Sequence, residues 1–348
     1  MAPNRPSQPV RRSYSNDDLP DKPYELISFP KKRPMLKAPI GHHRYTAKGY
    51  HGTLQLSLRV KTALHVSTGI TALGKDVDQR VPLIKTMTQG ENKQLVIQGS
   101  SLKGCIRAIY EAITNSTLAV VSGRYKQKMP RDRLPCRKKD SLCPASQVFG
   151  ALDWQGLVHF TDAVCASQKS ATGFMPSLYR PRPDQRKAYF DSRGNAAGRK
   201  FYHHAREAVD GGSRGMAVQQ AGTEYTFRTS LQFLNLSQAQ LGTLLISLGQ
   251  DADYPMALKL GGGKPVGLGS VVVSVVAADV TQDVRDRYTE YALPEANQLS
   301  GDALSSFIQE AVKAAHREKL VETEQLSELS AVLNWSANSN REAPKGMY

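Results

Sequence analysis

Two glycine-rich strings in this sequence hold residue types suited to binding an anion. Gly261-Gly262-Gly263-Lys264-Pro265-Val266-Gly267-Leu268-Gly269 places five glycines and a lysine in nine residues. Glycines let backbone N–H groups converge on a phosphate, and lysine adds charge. The string contains no G-K-[ST] and precedes a strand, so neither a Walker A loop nor a dinucleotide fingerprint fits. The second string, Gly99-Ser100-Ser101-Leu102-Lys103-Gly104, reads as a turn entering a helix. Free first-turn N–H groups and the Ser100 and Ser101 hydroxyls suit a phosphate, and either serine could cap the helix. Lys103, in the first turn, and Arg107, a turn further on, could flank the same phosphate. Each string also has a plain structural reading: a tight turn that needs positive φ, and a capped helix with solvated cations.

The charge points to a polyanion. Lys and Arg number 46 against 31 acids, a net charge of +15 in 348 residues. Nucleic acid is the commonest partner for such a surplus. The surplus is clustered. Residues 124–139 hold eight cations against Asp132 alone, residues 180–206 hold eight against Asp184 and Asp191, and residues 1–50 hold ten against four. From Asp279 to Asn334 the sign reverses, with eleven acids and five cations. Aromatic residues make up only 7%, yet Tyr45, Tyr50, Tyr179, Tyr189, Tyr202 and Tyr225 fall in or beside basic stretches, where they could stack on unpaired bases. There is no RNP1-type string.

The elements that would position these residues are legible as patterns. Leu54, Leu56, Leu58 and Val60 alternate with polar residues, the mark of a half-buried strand. Val96-Ile97 is a short second run. Leu102, Cys105, Ile106, Ile109, Tyr110 and Ile113 form an apolar stripe at helical period, predicting a helix from about Leu102 to Thr114 with Cys105 as plain core. Residues 120–223 read as long basic insertions interrupted by a strand-like Gly156–Asp162. Tyr225, Phe227, Leu231 and Phe233 mark another strand. Leu236-Ser237 then opens a helix with Leu241, Leu244, Leu245 and Leu248, and Ser270–Val276 closes the unit. The order predicts an α+β, ferredoxin-like β-α-β-β-α-β core with a swollen centre. Beyond it, Leu304, Phe307, Ile308, Ala311, Val312 and Ala315 predict an amphipathic helix, and Leu326, Leu329 and Leu333 a second. These helices could pack on their own domain or dock on a neighbour. The expected division is a basic N-terminal arm (1–48), an RNA-binding domain (49–278) with its insertion at about 120–223, and an acidic helical extension (279–348).

Several classes are excluded. With 40% apolar residues the chain can build a core, so wholesale disorder is out. The longest apolar stretch, Val271–Ala278, is far short of the ~20 residues that span a bilayer. The start has no apolar h-region, so no secretory signal is expected, and four cysteines are too few for a disulfide scaffold. The expected setting is cytoplasmic, with no membrane partner.

Read together, LHVSTG (Leu64 to Gly69), VIQGSSLKGCIRAIYEAI (Val96 to Ile113), CPASQVFGALDWQGLVHFTDA (Cys143 to Ala163) and GGGKPVGLGS (Gly261 to Ser270) resemble the RAMP superfamily, most of all the backbone subunits of type III CRISPR effector complexes. GRKFYHH (Gly198 to His204) looks like one subgroup of that family. The resemblance covers roughly residues 50–278. It implies an RRM-like core that binds guide RNA (crRNA) along its backbone, stacks with other CRISPR-associated subunits and meets target RNA in antiviral defence. On that pattern Ser100, Ser101, Lys103, Arg107, Arg199, Lys200, Tyr202, His203 and the loop residues Gly261, Gly262, Gly263, Lys264, Gly267 and Gly269 would contact RNA.

The resemblance also implies a chemistry. Cleaving relatives use an acidic residue in the loop after the first strand, with a divalent metal, Mg2+ or Mn2+. The family acid usually sits two residues before the proline of that loop. Here Arg80 occupies that position, and the acids are Asp78, the first candidate, and Asp76, the second; both could equally be solvated. Some relatives carry a structural Zn2+ in the insertion. Cys136 and Cys143 are candidates, although Ser146 stands where a C-P-x-C pair would have its second cysteine. His42-His43 and His203-His204 leave open a stand-alone, metal-independent RNA-processing endoribonuclease, with histidine as general acid or base. A non-catalytic capping or bridging subunit and a basic RNA-binding protein unrelated to defence are the remaining readings.

Overall fold

The computed structural model describes residues 23–165, 170–178, 189–212, 214–282, 289 and 297–344. In chain order it has β1 (Tyr24–Ser28), β2 (Tyr50–Val60), β3 (Ser67–Leu73), β4 (Leu83–Met87), β5 (Val96–Ile97), α1 (Gly99–Ile113) and α2 (Pro144–Phe149). The short strands β6 (Gly150–Ala151), β7 (Trp154–Gln155), β8 (Val158–Phe160) and β9 (Ala163–Cys165) come next. Then come β10 (Ala171–Pro176), β11 (Gly198–Tyr202), β12 (Gly215–Gln220), β13 (Thr226–Leu236), α3 (Gln238–Ser247), β14 (Leu258–Lys259) and β15 (Ser270–Thr281). β16 (Gln298–Leu299), α4 (Gly301–Arg317), α5 (Thr323–Leu333) and α6 (Trp335–Asn338) end the chain order.

Alternation makes β2 the central strand. Leu54, Leu56, Leu58 and Val60 are at most 2% exposed, and burying each contributes about 1.5–3 kcal/mol. β15 and β13 flank it, both antiparallel, with Val273 and Phe227 on either side of Leu58. β8 and β9 pair antiparallel with β13. The four core strands therefore stand in the order β15, β2, β13, β8/β9. α1 lies between the first and second of them in sequence, and α3 between the third and fourth. This is the expected α+β, ferredoxin-like arrangement.

The helices cover one face. The stripe Leu102, Ile106, Ile109, Tyr110 and Ile113 of α1 is fully buried. α3 starts at a reciprocal capping box of Ser237 and Gln240. It is buried almost all round because α4 lies over it, and a Cβ at Gly242 would stand 1.8 Å from the Ala311 carbonyl oxygen, so only glycine admits that approach. Leu326, Leu329 and Leu333 of α5 are buried against the body, where α5 packs on α1, β1 and β11. Both C-terminal helices thus pack on their own chain.

Several expectations change. α1 begins at Gly99, and neither Ser100 nor Ser101 caps it; Gln98 is the capping position and the Asp162 carboxylate accepts the Gly99 N–H at 2.7 Å. The loop read after the first strand is a hairpin of β3 and β4, and it joins β12 and β10 in a second, four-stranded sheet. The insertion is therefore not merely loop. From Tyr24 onward the arm is built into the molecule: β1 pairs with β11, and Lys37 bridges Leu142. The Asn235 carboxamide accepts from the Thr46 N–H and donates to the Gly41 and Arg44 carbonyls. Residues 1–22 of the expected arm lie outside the described residues. Among the described residues no helix is long and apolar enough to cross a membrane.

Candidate nucleic-acid interface

The two glycine-rich strings, far apart in sequence, meet at one cleft of about 490 Å3. Ser101, Gly104 and Cys105 of α1 form one wall, and Gly261, Gly262 and Lys264 form another. Arg199, Lys200 and Tyr202 of β11 come in from the insertion, and Lys259 from β14. The sheet order explains the meeting. β14 is hydrogen-bonded to β15, next to β2, and the segment leaving β2 passes under the glycine loop.

The glycines are there for backbone shape. Gly261, Gly263, Gly267 and Gly269 all have φ between +71° and +93°. A Cβ at Gly269 would lie 1.9 Å from the Leu260 carbonyl oxygen, and one at Gly261 2.4 Å from that of His65. The N–H groups of Gly262, Val266, Gly267, Leu268 and Gly269 all donate to backbone carbonyls. The expected cradle of main-chain amides is thus largely spent within the fold, because the loop must close tightly over residues 63–65. Lys264 carries the loop's charge into the cleft.

Four cations line the cleft: Arg199, Lys200, Lys259 and Lys264. Arg199 is held from behind by Glu111, whose side chain is fully buried. The same carboxylate accepts from Arg107 Nε at 2.7 Å and from the Ala119 N–H at 3.1 Å. Arg107 also reaches the Ser146 hydroxyl. Arg107 is therefore an internal brace and does not line the cleft as expected. Lys103 is likewise turned away: its ammonium donates to the Val158 carbonyl at 3.0 Å, and burial, then Arg107, lowers its pKa.

Lys200 sits among aromatic rings. Its Nζ lies 5.0 Å from the Tyr24 ring centre, 4.9 Å from Tyr202 and 5.9 Å from Tyr189. Ring faces attract an ammonium, while burial, and then Lys264, lowers its pKa. Tyr189 and Tyr202 serve Lys200 in this state, Tyr50 packs near Phe307, and Tyr225 is half-buried. Tyr45 is 43% exposed, and Tyr179 lies outside the described residues.

Lys259, which pattern reading missed inside Ala-Leu-Lys-Leu, is 6% exposed. Its Nζ donates to the Gly267 carbonyl at 3.0 Å and to the Ser270 hydroxyl at 3.1 Å. Burial first, and Lys264 second, brings its pKa from 10.5 down to about 7. Ser270 in turn bonds His204 Nδ1 at 2.9 Å, and His204 Nε2 donates to the Leu333 carbonyl at 3.1 Å. Burial, then Lys259, holds His204 down to about 3. Both its nitrogens are occupied and it is 1% exposed, so it is a neutral structural ring. His203 is 8% exposed, bonds Glu25 and does not line the cleft. Histidine acid–base chemistry at this pair is not what the geometry offers. Cys105, expected as plain core, lies on the cleft wall with its thiol toward the Lys259 carbonyl at 3.6 Å.

The other candidates lie elsewhere. Asp76 and Asp78 are exposed at the end of the β3–β4 hairpin, and Asp78 pairs with Lys93 at 3.4 Å. Cys136 and Cys143 do come together, with the Thr117 hydroxyl within 3.3 Å of both sulfurs and Ser146 beside Cys143. Among the described residues no three His, Cys, Asp or Glu side chains gather where a metal ion could sit. Neither the two aspartates for Mg2+ or Mn2+ nor the two cysteines for Zn2+ therefore make up a ligand set. Of the basic block at 124–139, Arg133 is not a surface charge: it is 2% exposed and donates to the Pro30 and Lys32 carbonyls of the N-terminal segment.

A comparison with curated proteins gives no match. Among solved structures, the chain is similar to one in the cryo-EM structure of the Type III-B Cmr-beta bound to cognate target RNA. That match has 16% identity and a TM-score of 0.35, and it covers 67% of this chain but only 61% of the other. It is also similar to Csc2 of Thermofilum pendens, at 14% identity and a TM-score of 0.32, covering 82% and 81%. The model of one family spans residues 57–272, from the end of β2 to the start of β15 with α1, β8, β9, β13, α3 and both walls of the cleft between them, and on that match the chain belongs to the RAMP superfamily.

Proposed function

We propose that this chain is a subunit of a type III CRISPR RNA-guided interference complex and holds the crRNA backbone in the cleft between α1 and the glycine loop. The observation that carries the reading is the convergence of Arg199, Lys200, Lys259 and Lys264 on one groove from two separate stretches of the chain, 199–200 and 259–264. Glu111, the carboxylate that meets Arg199, is shared with Arg107, which leaves an incoming phosphate to meet the cleft lysines. Recognition would be of the ribose-phosphate strand and not of base edges, because the cleft offers cations and little aromatic surface free for stacking. Target RNA and other CRISPR-associated subunits are the partners this reading names, and antiviral defence its setting.

The test is the RNA content of the purified complex, followed by single-stranded RNA binding at graded salt. Lys264→Ala combined with Arg199→Ala should weaken binding and flatten the salt dependence by roughly 0.7 per lost phosphate contact. Unchanged affinity and slope would overturn the cleft as the RNA site. Target cleavage does not follow from the geometry, since the hairpin end assembles no metal ligand set. A Mg2+-dependent cut that disappears in Asp78→Ala or Asp76→Ala would add it; equal cutting by either variant would assign it to another subunit.

A further inference from the structure

Away from the cleft, Cys136 and Cys143 are placed for chemistry that RNA binding does not use. The Cys143 backbone N–H donates to Cys136 Sγ at 3.3 Å, so the first sulfur lies against the backbone that carries the second. The Thr117 hydroxyl lies 3.3 Å from Cys136 Sγ and 3.2 Å from Cys143 Sγ. The proximity of the two thiols chiefly lowers the Cys143 pKa and raises that of Cys136. Cys143 is fully buried, while Cys136 is only partly buried.

We infer that Cys136 and Cys143 are a reversible dithiol–disulfide pair, a redox modification site that locks the basic loop between them. The oxidant is a small-molecule disulfide. Cys136, the less buried sulfur, gives its proton to water and attacks one sulfur of the oxidant. The oxidant's S–S bond breaks and one small thiolate leaves. The Cys143 thiol then loses its proton to that leaving thiolate and attacks Cys136 Sγ, expelling the second small thiolate, which takes a proton from water. Overall two protein thiols are oxidised to one disulfide and one small disulfide is reduced to two thiols. Burial leaves Cys143 no other partner to attack, which makes it the resolving cysteine.

The bond would close a loop that carries Arg137, Lys138 and Lys139, all exposed, and Leu142, which bridges Lys37 of the N-terminal segment through paired backbone bonds of 3.0 and 2.9 Å. Oxidation therefore ties down a cationic loop together with the chain segment it holds. Neither step depends on the cleft or on RNA.

The experiment incubates the folded full-length chain in glutathione buffers of graded ratio, quenches with acid, alkylates and maps tryptic peptides by mass spectrometry. Trypsin cuts after Arg137 and Lys139, so the disulfide appears as Leu134–Arg137 joined to the peptide that starts at Asp140, with fragmentation separating Cys143 from Cys165. The wild type should form this link and leave Cys105 alkylated. Cys143→Ser should instead accumulate glutathione on Cys136, and Cys136→Ser should take none on Cys143. Should a serine variant misfold, limited trypsinolysis of the wild type is the second measurement: nicking at Arg137–Lys139 should slow several-fold on oxidation and recover on reduction. The inference fails if the wild type stays fully alkylated at both cysteines across the whole range, if glutathione persists on Cys136 without ring closure, or if the link forms only in denaturant.

Discussion

Lys259 offers the sharpest test of the cleft's electrostatics. It is a lysine at 6% exposure whose folded pKa is about 7 against an ordinary 10.5. Between those values the unfolded chain holds a proton that the folded chain lacks, so stability rises with pH across that window. Below pH 7 both states are protonated and the penalty for burying the ammonium is fully present. At 1.36 kcal/mol per unit, raising the pH from 7 to 9 should stabilise the wild type by about 2–3 kcal/mol through this group alone. Lys259→Met keeps the length and apolar stem but removes the titration. It also strands the Gly267 carbonyl and the Ser270 hydroxyl, a pH-independent cost of about 1–3 kcal/mol. Urea unfolding of both proteins from pH 6 to 9 isolates the effect, because every other titrating group is common to the two. The difference in unfolding free energy should be flat below pH 7 and then move by about 2–3 kcal/mol in favour of the wild type. A difference independent of pH over the whole range would refute the assignment of Lys259 as a buried, largely neutral amine. If the cleft holds RNA, phosphate should return the proton to Lys259. RNA affinity of the wild type would then fall by up to tenfold per unit above pH 7, and that of Lys259→Met would not.

Three further expectations follow from single contacts. Glu111→Gln leaves the guanidinium groups of Arg107 and Arg199 facing each other without their carboxylate; chemical denaturation should show a loss of about 3–5 kcal/mol, and RNA binding should weaken as Arg199 loses its anchor. Gly269→Ala forces a side chain onto φ +86° and toward the Leu260 carbonyl; the left-handed backbone alone costs about 1–2 kcal/mol, and the clash should make the measured loss in thermal or urea unfolding larger. Asn235→Ala removes the hydrogen bonds to residues 41–46; a stability loss of about 2–4 kcal/mol should come with faster proteolysis in that segment, and an unchanged cutting rate would show that β1 and the Lys37 bridge suffice to hold it.

The reading of residues alone reached the core because local periodicity and burial share a cause. The alternation of Leu54, Leu56, Leu58 and Val60 and the helical stripe of α1 exist only because one face is dry. The insertion was harder. β11 and β12 pair with β1 and β4, partners distant in sequence, β10 adds outside β12, and short mixed strands carry little period of their own. Side-chain roles were harder still. Lys103, Arg107, Arg133 and Lys259 are all cations on paper, yet two brace the interior, one clamps the N-terminal segment and one lines a cleft nearly dry. Whether a lysine meets water, a carbonyl or a carboxylate is set by elements elsewhere in the chain, and no local pattern records it.

What the amino-acid sequence determined by itself is the α+β core, the positive charge and the glycine positions where the backbone must turn, since each depends on neighbours within a few residues. What only the tertiary structure decided is which of those residues act together. It brought Ser101, Lys200, Lys259 and Lys264 to one cleft, spent the loop's amides on its own backbone, and seated Cys136 against Cys143. The physical reason is that a buried charge or thiol takes its properties from atoms within a few ångströms, and in a sheet built from distant strands those atoms come from the far ends of the chain.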